Sequence, residues 1–525
     1  MPSSAFDTSQ DVLPLAAKAQ KLRTLSGRNW CNQYISTRSS EAQNGPNIMH
    51  PTFPSWAQCV WAAAIVLACS SPAPTNSIPH QPTGWSDELR MAEAIDEDPD
   101  PNVFETHLSA GITELEVIPG TKTPVWAYNG SLPGPLIHVK RGDKLRIHFQ
   151  NLLPEPTTLH WHGIRLPNNM DGVPDTTQPA VLPGETFDYE FTAPDPGLYW
   201  YHPHANAAVQ VGNGLYGAVL VDDPDEPKEL GDELPLVVSD MALNPDGSVL
   251  PPDSGGDTGA LFGREGDTLL VNGKVNPILR PRAGLRQRWR IVNTAKSRYF
   301  QIAVAGQHFT RIGGDGGKTS DPEELSAILV APAERVDVLL TLEAEPKASL
   351  PVRWVPFDRG FGTAFNRPEA LMFTMAVADM PGLPAPKLPA FHRDIEPLDI
   401  SLATPIQMEL TENDIGAQFA LGINGVPSWK AEPILAKIGE TQVWTVRNTI
   451  QFAHPFHLHG FFFQILDLNG VPPRVREWKD TAHVPVDGTL RLAVRFDERP
   501  GMWMFHCHIL EHAEAGMMGM VHLHE

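Results

Sequence analysis

The sequence predicts an all-β protein built from three β-sandwich domains with Greek-key connections. Four observations support this prediction: the length, the abundance of turn residues, short alternating runs and an internal repeat. A chain of 525 residues is expected to form about three or four domains. The 51 prolines and 42 glycines indicate many turns and argue against a mainly helical protein. Short alternating runs such as KLRIHFQ, TFDYEFTA and LRLAVRF are typical of strands with one buried face.

The internal repeat begins at Asn129, Asn272 and Asn424. Each copy contains an Asn-Gly turn, a short apolar run, a Gly-containing turn and a strand-like run that ends in Asn. Copies spaced by about 150 residues have the size of domains rather than of solenoid units. We therefore predict domains at residues 103–225, 226–380 and 381–525.

The N-terminal extension, residues 1–69, contains the only strongly apolar run of the chain, CVWAAAIVLAC at 59–69. This run is too short to span a bilayer as a helix, and its length suits the apolar part of a signal peptide. Its ending, VLAC followed by SSPAPTNS, resembles a bacterial lipoprotein processing site with Cys69 as the lipidated residue. The sequence thus predicts export to the periplasm or cell envelope, with a lipid anchor, or secretion.

Two features weaken this prediction of export. No Lys or Arg lies between Met49 and Cys69, and the stretch before Met49 is longer than a usual signal-peptide start. Either Met1 or Met49 could be the true start, and a buried apolar helix is the alternative interpretation of the run. Residues 70–102 are rich in Ser, Pro, Asp and Glu, which predicts a flexible tether.

The charge and the cysteines exclude some functions. A formal net charge of −22 argues against a nucleic-acid partner, because binding to phosphates needs a basic face. If the residues up to Cys69 are removed or anchored, Cys507 is the one cysteine left. No disulfide can then form within the chain, and a lone thiol in an oxidising compartment suggests a metal ligand.

Matched pairs of His-x-His motifs occur in the first and third repeats. PGLYWYHPH aligns with PGMWMFHCH, and LHWHG aligns with FHLHG, whereas the middle repeat has no equivalent pair. Because residues i and i+2 of a strand point to the same face, each motif presents two imidazoles side by side. A surface or core pair would explain one such motif but not four. The motifs therefore predict a metal site shared by the first and third domains.

The third repeat alone can also hold a thiolate site. Cys507 lies between two histidines, and Pro203 takes its place in the first repeat. A cysteine, two histidines and a thioether are the ligands of a blue-copper electron-transfer site, and zinc would gain nothing from the thioether. The candidate ligands are His454, Cys507, His512 and Met517. Met518 and Met520 could replace Met517, but we expect them to be core or rim residues.

Eight further histidines remain for other ions, and all-imidazole ligation suits copper among other metals. Two ligands for one ion and three for each of two others would use all eight. They are His160, His162, His202, His204, His457, His459, His506 and His508.

The motifs HWHG, HPH, HPFHLHG and HCHILEH…M, in this order, resemble the four copper-binding motifs of the multicopper oxidases. That family includes laccases, bilirubin oxidases, spore-coat laccases and copper efflux oxidases. The resemblance extends from about residue 103 to the C-terminus and implies three cupredoxin-like domains with four copper ions. It implies one-electron oxidations of a reducing substrate coupled to the reduction of O2 to water. The implied ligands are His454, Cys507, His512 and Met517 for type 1 copper, His160 and His457 for type 2, and His162, His202, His204, His459, His506 and His508 for the type 3 pair.

The reduction of O2 to water consumes protons, so a carboxylate is expected near the cluster. Asp171 follows His160 by eleven residues, where similar enzymes carry an acid, although Asp-Gly could simply form a turn. Many bacterial relatives also carry Glu directly after the last type 1 histidine, but this chain has Ala513. Glu514 is expected to point to the other side if its segment is extended.

The resemblance implies a laccase-like oxidase of phenols and aromatic amines, with electrons entering through whichever of His512 and His454 has an exposed ring edge. The first alternative is a Cu(I) metallo-oxidase for copper tolerance. Met372, Met375 and Met380 alternate with apolar residues as in a core strand, and the absence of a Met-rich tract favours an organic substrate. Bilirubin oxidation and a non-catalytic copper-binding envelope protein are further alternatives. We expect a monomer, with substrate loops in the irregular segments 245–266 and 356–370.

Overall fold

The computed structural model describes residues 78–251, 254–360, 367–415 and 418–525. The predicted signal segment, its alternative as a buried helix and the lipidation at Cys69 lie outside the described residues. The described residues form almost entirely strands and turns, so the predicted all-β class is confirmed. Six sheets occur in three successive pairs along the chain.

No helix in the described part of the chain is long and apolar enough to cross a bilayer.

The first pair of sheets, hereafter the first sandwich, has the strand orders β2-β1-β4-β6 and β3-β8-β7-β5. Its strands are β1 (Val103–Ile118), β2 (Thr121–Tyr128), β3 (Gly134–Lys140), β4 (Lys144–Asn151), β5 (His160–His162), β6 (Thr186–Thr192), β7 (Gly197–His202) and β8 (Gly217–Asp222). Leu108 and Phe149 of one sheet pack with Trp161 and Tyr201 of the other in one buried core.

The second sandwich has the orders β10-β9-β12-β17-β14-β15 and β11-β19-β18-β13-β16. Its strands are β9 (Asp232–Met241), β10 (Thr268–Val271), β11 (Ile278–Leu279), β12 (Arg286–Asn293), β13 (Phe300–Val304), β14 (Phe309–Gly314), β15 (Gly317–Leu325), β16 (Ile328–Val330), β17 (Arg335–Thr341), β18 (Ser349–Val355) and β19 (Ala370–Ala376). Met372 and Met375 lie buried on β19, as predicted for a core strand, and Met380 lies beyond its end.

The third sandwich has the orders β21-β20-β23-β27-β25 and β22-β29-β28-β24-β26. Its strands are β20 (Thr404–Ile415), β21 (Gln418–Ile423), β22 (Ile434–Lys437), β23 (Thr441–Asn448), β24 (His454–Leu458), β25 (Phe463–Leu468), β26 (Thr481–Val484), β27 (Thr489–Arg495), β28 (Gly501–Cys507) and β29 (Met518–His524). Its core holds Trp444 and Leu492 from one sheet and Phe456, Trp503 and Cys507 from the other.

The three sandwiches share a common set of strand pairings, although they contain eight, eleven and ten strands. The first strand of each runs parallel to a later neighbour, as β1 with β4, β9 with β12 and β20 with β23. The second sheets share a further parallel pair, β3 with β8, β11 with β19 and β22 with β29. The internal repeat of the sequence therefore corresponds to a structural repeat, while the predicted domain limits stay a prediction.

The Asn-Gly turns explain why the repeat begins where it does. Asn129, Asn272 and Asn424 adopt φ between 48° and 56°, and the glycine after each is also left-handed, as a tight hairpin turn requires. In each copy the asparagine Oδ1 accepts a backbone N–H at 2.7 Å from the first strand of its sandwich. In each of the three copies, therefore, the asparagine side chain joins the turn to the first strand of the sandwich.

Short helices cover the ends of the sandwiches. They are α1 (Ala207–Gly212), α2 (Gly256–Phe262) and α3 (Leu510–Glu514), with single 3-10 turns at Asp87–Leu89, Asn168–Met170, Lys228–Leu230 and Ser428–Lys430. Helix α3 contacts both α1 and α2. The substrate segment 245–266, expected to be irregular, therefore contains a helix that packs on α3.

The described part of the predicted tether, residues 78–102, is packed rather than free. Leu89 is 2% exposed and joins the core of the second sandwich. Its carbonyl accepts the Asn272 Nδ2–H at 2.6 Å, and the Gln81 N–H donates to Asp232 at 2.6 Å. The polar composition of the segment predicted a tether, but a few apolar side chains and backbone groups are enough to fix it.

Candidate metal centre

One sulfur and two imidazole nitrogens converge inside the third sandwich. The Cys507 Sγ lies 3.3 Å from His454 Nδ1 and 3.6 Å from His512 Nδ1, and the two nitrogens are 3.3 Å apart. All three side chains are buried. Strand β24 supplies His454, the end of β28 supplies Cys507, and α3 supplies His512. Three donors at these distances surround one point, as a metal ion would require.

Met517 lies next to this group. It is fully buried in the same core cluster as Cys507, its N–H donates to the His512 carbonyl at 2.9 Å, and its carbonyl accepts the Cys507 N–H at 3.1 Å. The chain reaches this position through Gly516, whose φ of 111° suits glycine after a helix. The predicted set of four candidate ligands is therefore assembled in one place.

The Cys507 thiol is poorly suited to be a thiolate without a cation. Burial raises the pKa of this thiol, an effect that the Ile509 N–H and Arg359 only partly oppose. A bound cation would supply the missing stabilisation. Burial also lowers the pKa of His512 to about 3, with Arg359 adding to the effect, so the imidazole is neutral and can coordinate. The donor set fits copper.

The eight other histidines form one cluster between the first and third sandwiches. Strand pairing sets His160 opposite His202 and His457 opposite His506. Across the interface, the His160 ring stacks on His459 at 4.0 Å and the His162 ring stacks on His457 at 3.8 Å between centroids. The four His-x-His motifs thus meet as predicted. Triads with ring nitrogens within 4.8 Å are His160–His162–His202, His160–His457–His459 and His204–His459–His506.

His508 lies beside these triads rather than within one. Its ring centroid is 5.0 Å from that of His162 and 5.3 Å from that of His506. Neither of its ring nitrogens has a hydrogen-bond partner among the described residues. Its ring therefore borders the cluster with both nitrogens free to coordinate.

Hydrogen bonds to backbone carbonyls orient four of the eight rings and leave their second nitrogen available. The Nδ1–H groups of His160, His202, His457 and His506 donate to backbone carbonyls at 2.6 to 2.9 Å. In the described structure, the Nε2 atoms of the first three are buried and have no hydrogen-bond partner. Buried polar atoms rarely lack a hydrogen-bond partner. Unpartnered nitrogens aimed at a common centre are the arrangement that metal ions satisfy.

Burial favours the neutral form of seven imidazoles of the cluster, which is the form that binds metals. Burial lowers the pKa of His204 to about 3, and repulsion from His160 contributes to the effect. The pKa values of the other shifted histidines are also lowered, first by burial and then by neighbouring rings. These are His162, His202, His457, His459, His506 and His508.

Asp171 lies at the cluster, where the sequence predicted an acid. Its Oδ2 accepts the His459 Nδ1–H at 2.8 Å, and its backbone carbonyl accepts the His160 Nδ1–H at 2.6 Å. Burial would raise the pKa of this carboxyl, but His459 and His160 outweigh burial and hold it well below its usual range. Asp171 is therefore ionised and joins the two sandwiches through one hydrogen bond.

Sequence reasoning missed a second carboxylate at the cluster, Asp480. Its backbone carbonyl accepts the His457 Nδ1–H at 2.9 Å, and its Oδ1 lies 3.4 Å from His162 Nε2. Arg335 of the second sandwich binds both carboxylate oxygens, at 2.7 and 2.5 Å. The ion pair is almost fully buried. No local pattern marks Asp480, because its partner lies far away in the chain.

The segment after His512 differs from the sequence expectation. Residues 510–514 form helix α3 instead of an extended strand, so the condition under which Glu514 would point away does not hold. The Glu514 Oε1 accepts the Ala208 N–H of α1 at 2.8 Å. Ala513 is buried and offers no acid at its position. Glu514 ties α3 to the first sandwich.

The expectation of an exposed ring edge is wrong for both candidate histidines. His454 and His512 are 0% exposed. The His512 Nε2–H donates to the Leu261 carbonyl of α2 at 3.0 Å, and the neighbouring Phe262 packs its ring on Phe452 at 5.4 Å. Nothing in the sequence indicated that α2 would lie against His512. A segment of the second sandwich therefore covers the group around Cys507.

Known proteins resemble this chain in sequence over most of its length. Three family profiles, each described as multicopper oxidase, match residues 111–226, 233–352 and 399–524. The chain is 32% identical over 439 residues to multicopper oxidase MmcO of Mycobacterium tuberculosis (strain ATCC 25618 / H37Rv), covering 74% of this chain and 81% of that protein. It is 29% identical to a laccase of Bacillus subtilis (strain 168), covering 75% and 89% of the two chains.

A solved structure is similar to the whole described body. It is a multicopper oxidase from Campylobacter jejuni, described as a metallo-oxidase. The TM-score is 0.73 at 27% identity, and the match covers 85% of this chain and 99% of that one.

Proposed function

The chain belongs to the multicopper oxidase family, and from this premise we propose that it is a laccase-like oxidase of phenols and aromatic amines. As a member of the family, it is an oxidoreductase that binds copper and uses oxygen, and its three sandwiches are cupredoxin-like. The proposed ligands are His454, Cys507, His512 and Met517 for type 1 copper, His160 and His457 for type 2, and His162, His202, His204, His459, His506 and His508 for a type 3 pair. Bound there, copper would take up electrons singly and pass them to O2, which is reduced to water.

One observation supports this proposal best. Cys507 belongs to the buried three-donor group, while its sequence neighbours His506 and His508 belong to the histidine cluster. The two sites are thus joined by short covalent paths through the backbone. The His506 Nδ1–H also donates to the Cys507 carbonyl at 2.8 Å, which adds a hydrogen-bonded connection. Such an arrangement suits a protein that moves electrons from one site to the other.

We propose that Asp171 relays the protons that the reduction of O2 consumes. It lies against rings of both sandwiches and is the carboxylate of the cluster that has no buried arginine partner. A carboxylate placed in this way can accept a proton and release it again. Asp480 differs, because Arg335 holds both of its oxygens. We propose a positioning role for Asp480, through its carbonyl on His457.

Electrons would enter through α2. The Leu261 carbonyl is bonded to His512 Nε2, so a substrate resting on the outer surface of α2 would be separated from the ring by one peptide group. We propose that this surface accepts the phenol. Residues 252–253 and 361–366 of the two expected substrate loops lie outside the described residues.

A Cu(I) metallo-oxidase is the second candidate. Both candidate ring edges are fully buried, so no bulky phenol can contact either ring directly, and a similar structure is described as a metallo-oxidase. We further propose export, with a possible lipid anchor at Cys69, and a monomeric state. The monomer follows because one chain supplies both halves of the histidine cluster.

The test is an absorption spectrum of the copper-loaded protein, followed by O2 uptake with a phenol and with Cu(I). Strong absorption in the red with O2 uptake supports a thiolate–copper site coupled to the cluster, and the two rates rank the substrates. A coloured protein that consumes no O2 would indicate an electron carrier. A colourless protein would show that Cys507 is not a copper ligand and would overturn the proposal.

A further inference from the structure

Sulfur and imidazole side chains line the outward face of β28 and β29. Antiparallel pairing sets Met502 opposite His522, Met504 opposite Met520, and Met518 opposite His506. The alternate residues of these strands, among them Trp503, Phe505 and Val521, point into the core. We call this surface the soft-donor face. Its six members are Met502, Met504, Met518, Met520, His522 and His524.

This face runs from solvent to the histidine cluster. His522 is exposed and Met502 is half-buried, whereas Met504 is 9% exposed and His506 is 1% exposed. The Met504 carbonyl also accepts the His459 N–H at 2.9 Å. Successive rungs are about 6.8 Å apart, since a strand rises about 3.4 Å per residue. Soft donors thus continue inward at short intervals until they reach the proposed type 3 ligands.

The first sandwich shows that the fold does not require these side chains. At the six equivalent positions it has Leu198, Trp200, Tyr216, Ala218, Leu220 and Asp222. Five of the six pack in one buried cluster with Val237 and Val292 of the second sandwich. In the third sandwich the equivalent face keeps access to solvent, and Leu435 on the adjacent β22 is 63% exposed. Packing accounts for the first face but leaves the methionines of the third face unexplained.

We propose that the soft-donor face binds Cu(I) and guides it to the histidine cluster. Thioethers select soft Cu(I), and imidazoles bind copper readily. Donors on opposite strands are about 5 Å apart at Cβ, so flexible methionine side chains and His522 can close on one ion. The formal net charge of −22 draws cations to the surface. The guiding role rests on the function proposed above, whereas Cu(I) binding does not.

Binding is tested on the full-length, copper-loaded protein carrying carbon-13 in its methionine methyl groups. Ag(I), a soft ion of the same charge that the enzyme cannot oxidise, is titrated against it while methyl signals are followed by NMR. The signals of Met502 and Met520, assigned from single Met→Leu variants, are expected to shift at about one equivalent of Ag(I). Unchanged signals for both at excess Ag(I) would overturn the proposed site.

Guidance is tested by incubating the copper-free protein with Cu(I) in the absence of O2 for increasing times. Each sample is then analysed for copper bound per chain and, on admission of air, for O2 uptake, which requires a filled histidine cluster. The triple variant Met502→Leu, Met520→Leu, His522→Gln is expected to load about tenfold more slowly, because the local concentration of Cu(I) is lost. Its final copper content and oxidase rate should equal those of the wild type. The control Met372→Leu, Met375→Leu alters buried methionines of the second sandwich and should load normally.

Each result bears on one of the two proposals. Equal loading rates for wild type and triple variant would overturn guidance, even if the methyl signals shift. If the wild-type protein never gains colour, the proposed oxidase function fails, while the Ag(I) titration still decides whether the soft-donor face binds a soft ion. If the soft-donor face binds a partner protein instead of copper, the methyl signals of the purified protein should not shift when Ag(I) is added, and the proposed site is overturned.

Discussion

The eight strands of the first sandwich all have counterparts in the third, which adds β25 and β26, but the two sandwiches carry different side chains at two equivalent positions. Where the third has His454 and Cys507, the first has Thr157 and Pro203. Thr157 Oγ1 donates to Gln210 Oε1 at 2.7 Å, and Gln210 Nε2 donates to Glu155 and to the Pro156 carbonyl. One sandwich thus fills the position with satisfied hydrogen bonds, and the other with converging donors. The difference shows that a few side chains, not the fold, decide which sandwich holds the thiolate.

A second comparison concerns the carboxylates at the cluster. Asp171 and Asp480 each orient one histidine through a backbone carbonyl and reach a ring of the other sandwich with a carboxylate oxygen. Only Asp480 is bound by a buried arginine. Arg335 holds the Asp480 carboxylate in place, whereas the Asp171 carboxylate contacts imidazoles of both sandwiches, and it is Asp171 that we propose to relay protons. Matched geometry therefore supports two different roles.

Cys507→Ser should have the largest effect. Loss of the thiolate should remove the red absorption and lower kcat by at least about a thousandfold, equivalent to ~4 kcal/mol. The reciprocal change Pro203→Cys should create no second coloured site, because Thr157 and Ala208 take the positions of His454 and His512 and carry no imidazole. Absorption spectra and O2 uptake of both variants provide the measurement. A second coloured site in Pro203→Cys would contradict the comparison.

Arg335→Met should mainly affect stability. It leaves the Asp480 carboxylate buried without its partner, which is expected to cost about 3–5 kcal/mol in the free energy of unfolding. The matched control Arg165→Met removes the half-exposed ion pair with Asp195 in the first sandwich, which should cost no more than about 1 kcal/mol. Urea unfolding of the copper-free proteins measures both. Equal losses would mean that Asp480 does not need the buried arginine.

Asp171→Asn should slow turnover while copper stays bound. General acid–base groups contribute about a hundredfold or more, so kcat should fall by about that factor, with copper content and colour close to wild type. The solvent isotope effect on kcat should rise, because proton delivery then limits the rate, which a purely structural role would not cause. Loss of copper in proportion to loss of activity would assign Asp171 to positioning instead.

The smallest effect is expected at the outer edges of the two sandwiches. In the first sandwich the His138 Nε2–H donates to the Asp222 carboxylate at 3.0 Å, and the third has Leu435 and His524 at the equivalent positions. The bond to Asp222 raises the pKa of His138. The pair should therefore stabilise the fold below the unfolded-state pKa of histidine, and lose this contribution as pH rises through the folded-state pKa. A double-mutant cycle with His138→Gln and Asp222→Asn should give a coupling free energy of about 0.5 kcal/mol at a pH between the pKa values of Asp222 and His138, since the pair is half-exposed.

Much of the site could be predicted because its information is local. Two-residue spacing on strands fixes the paired histidines, and the repeats align Cys507 with Pro203. Arg335 and Asp480 could not be paired, because nothing in either segment specifies a partner in another sandwich. The cover of His512 by Leu261 was missed for the same reason. The methionines of β29 were expected at the core or rim, and only the strand pairing showed that they share a face with Met502.

The position of the two ligand groups along the chain also sets an order of events during synthesis. The last histidine of the first group, His204, and the first of the second, His454, are separated by about 250 residues. Closing such a loop is slow and must await the final strands, since β29 pairs with both β28 and β22. A partly made chain therefore presents half of a metal site and no thiolate. The full set of donors can therefore assemble only after β28 and β29 have left the ribosome, and a chain that ends before these strands lacks Cys507.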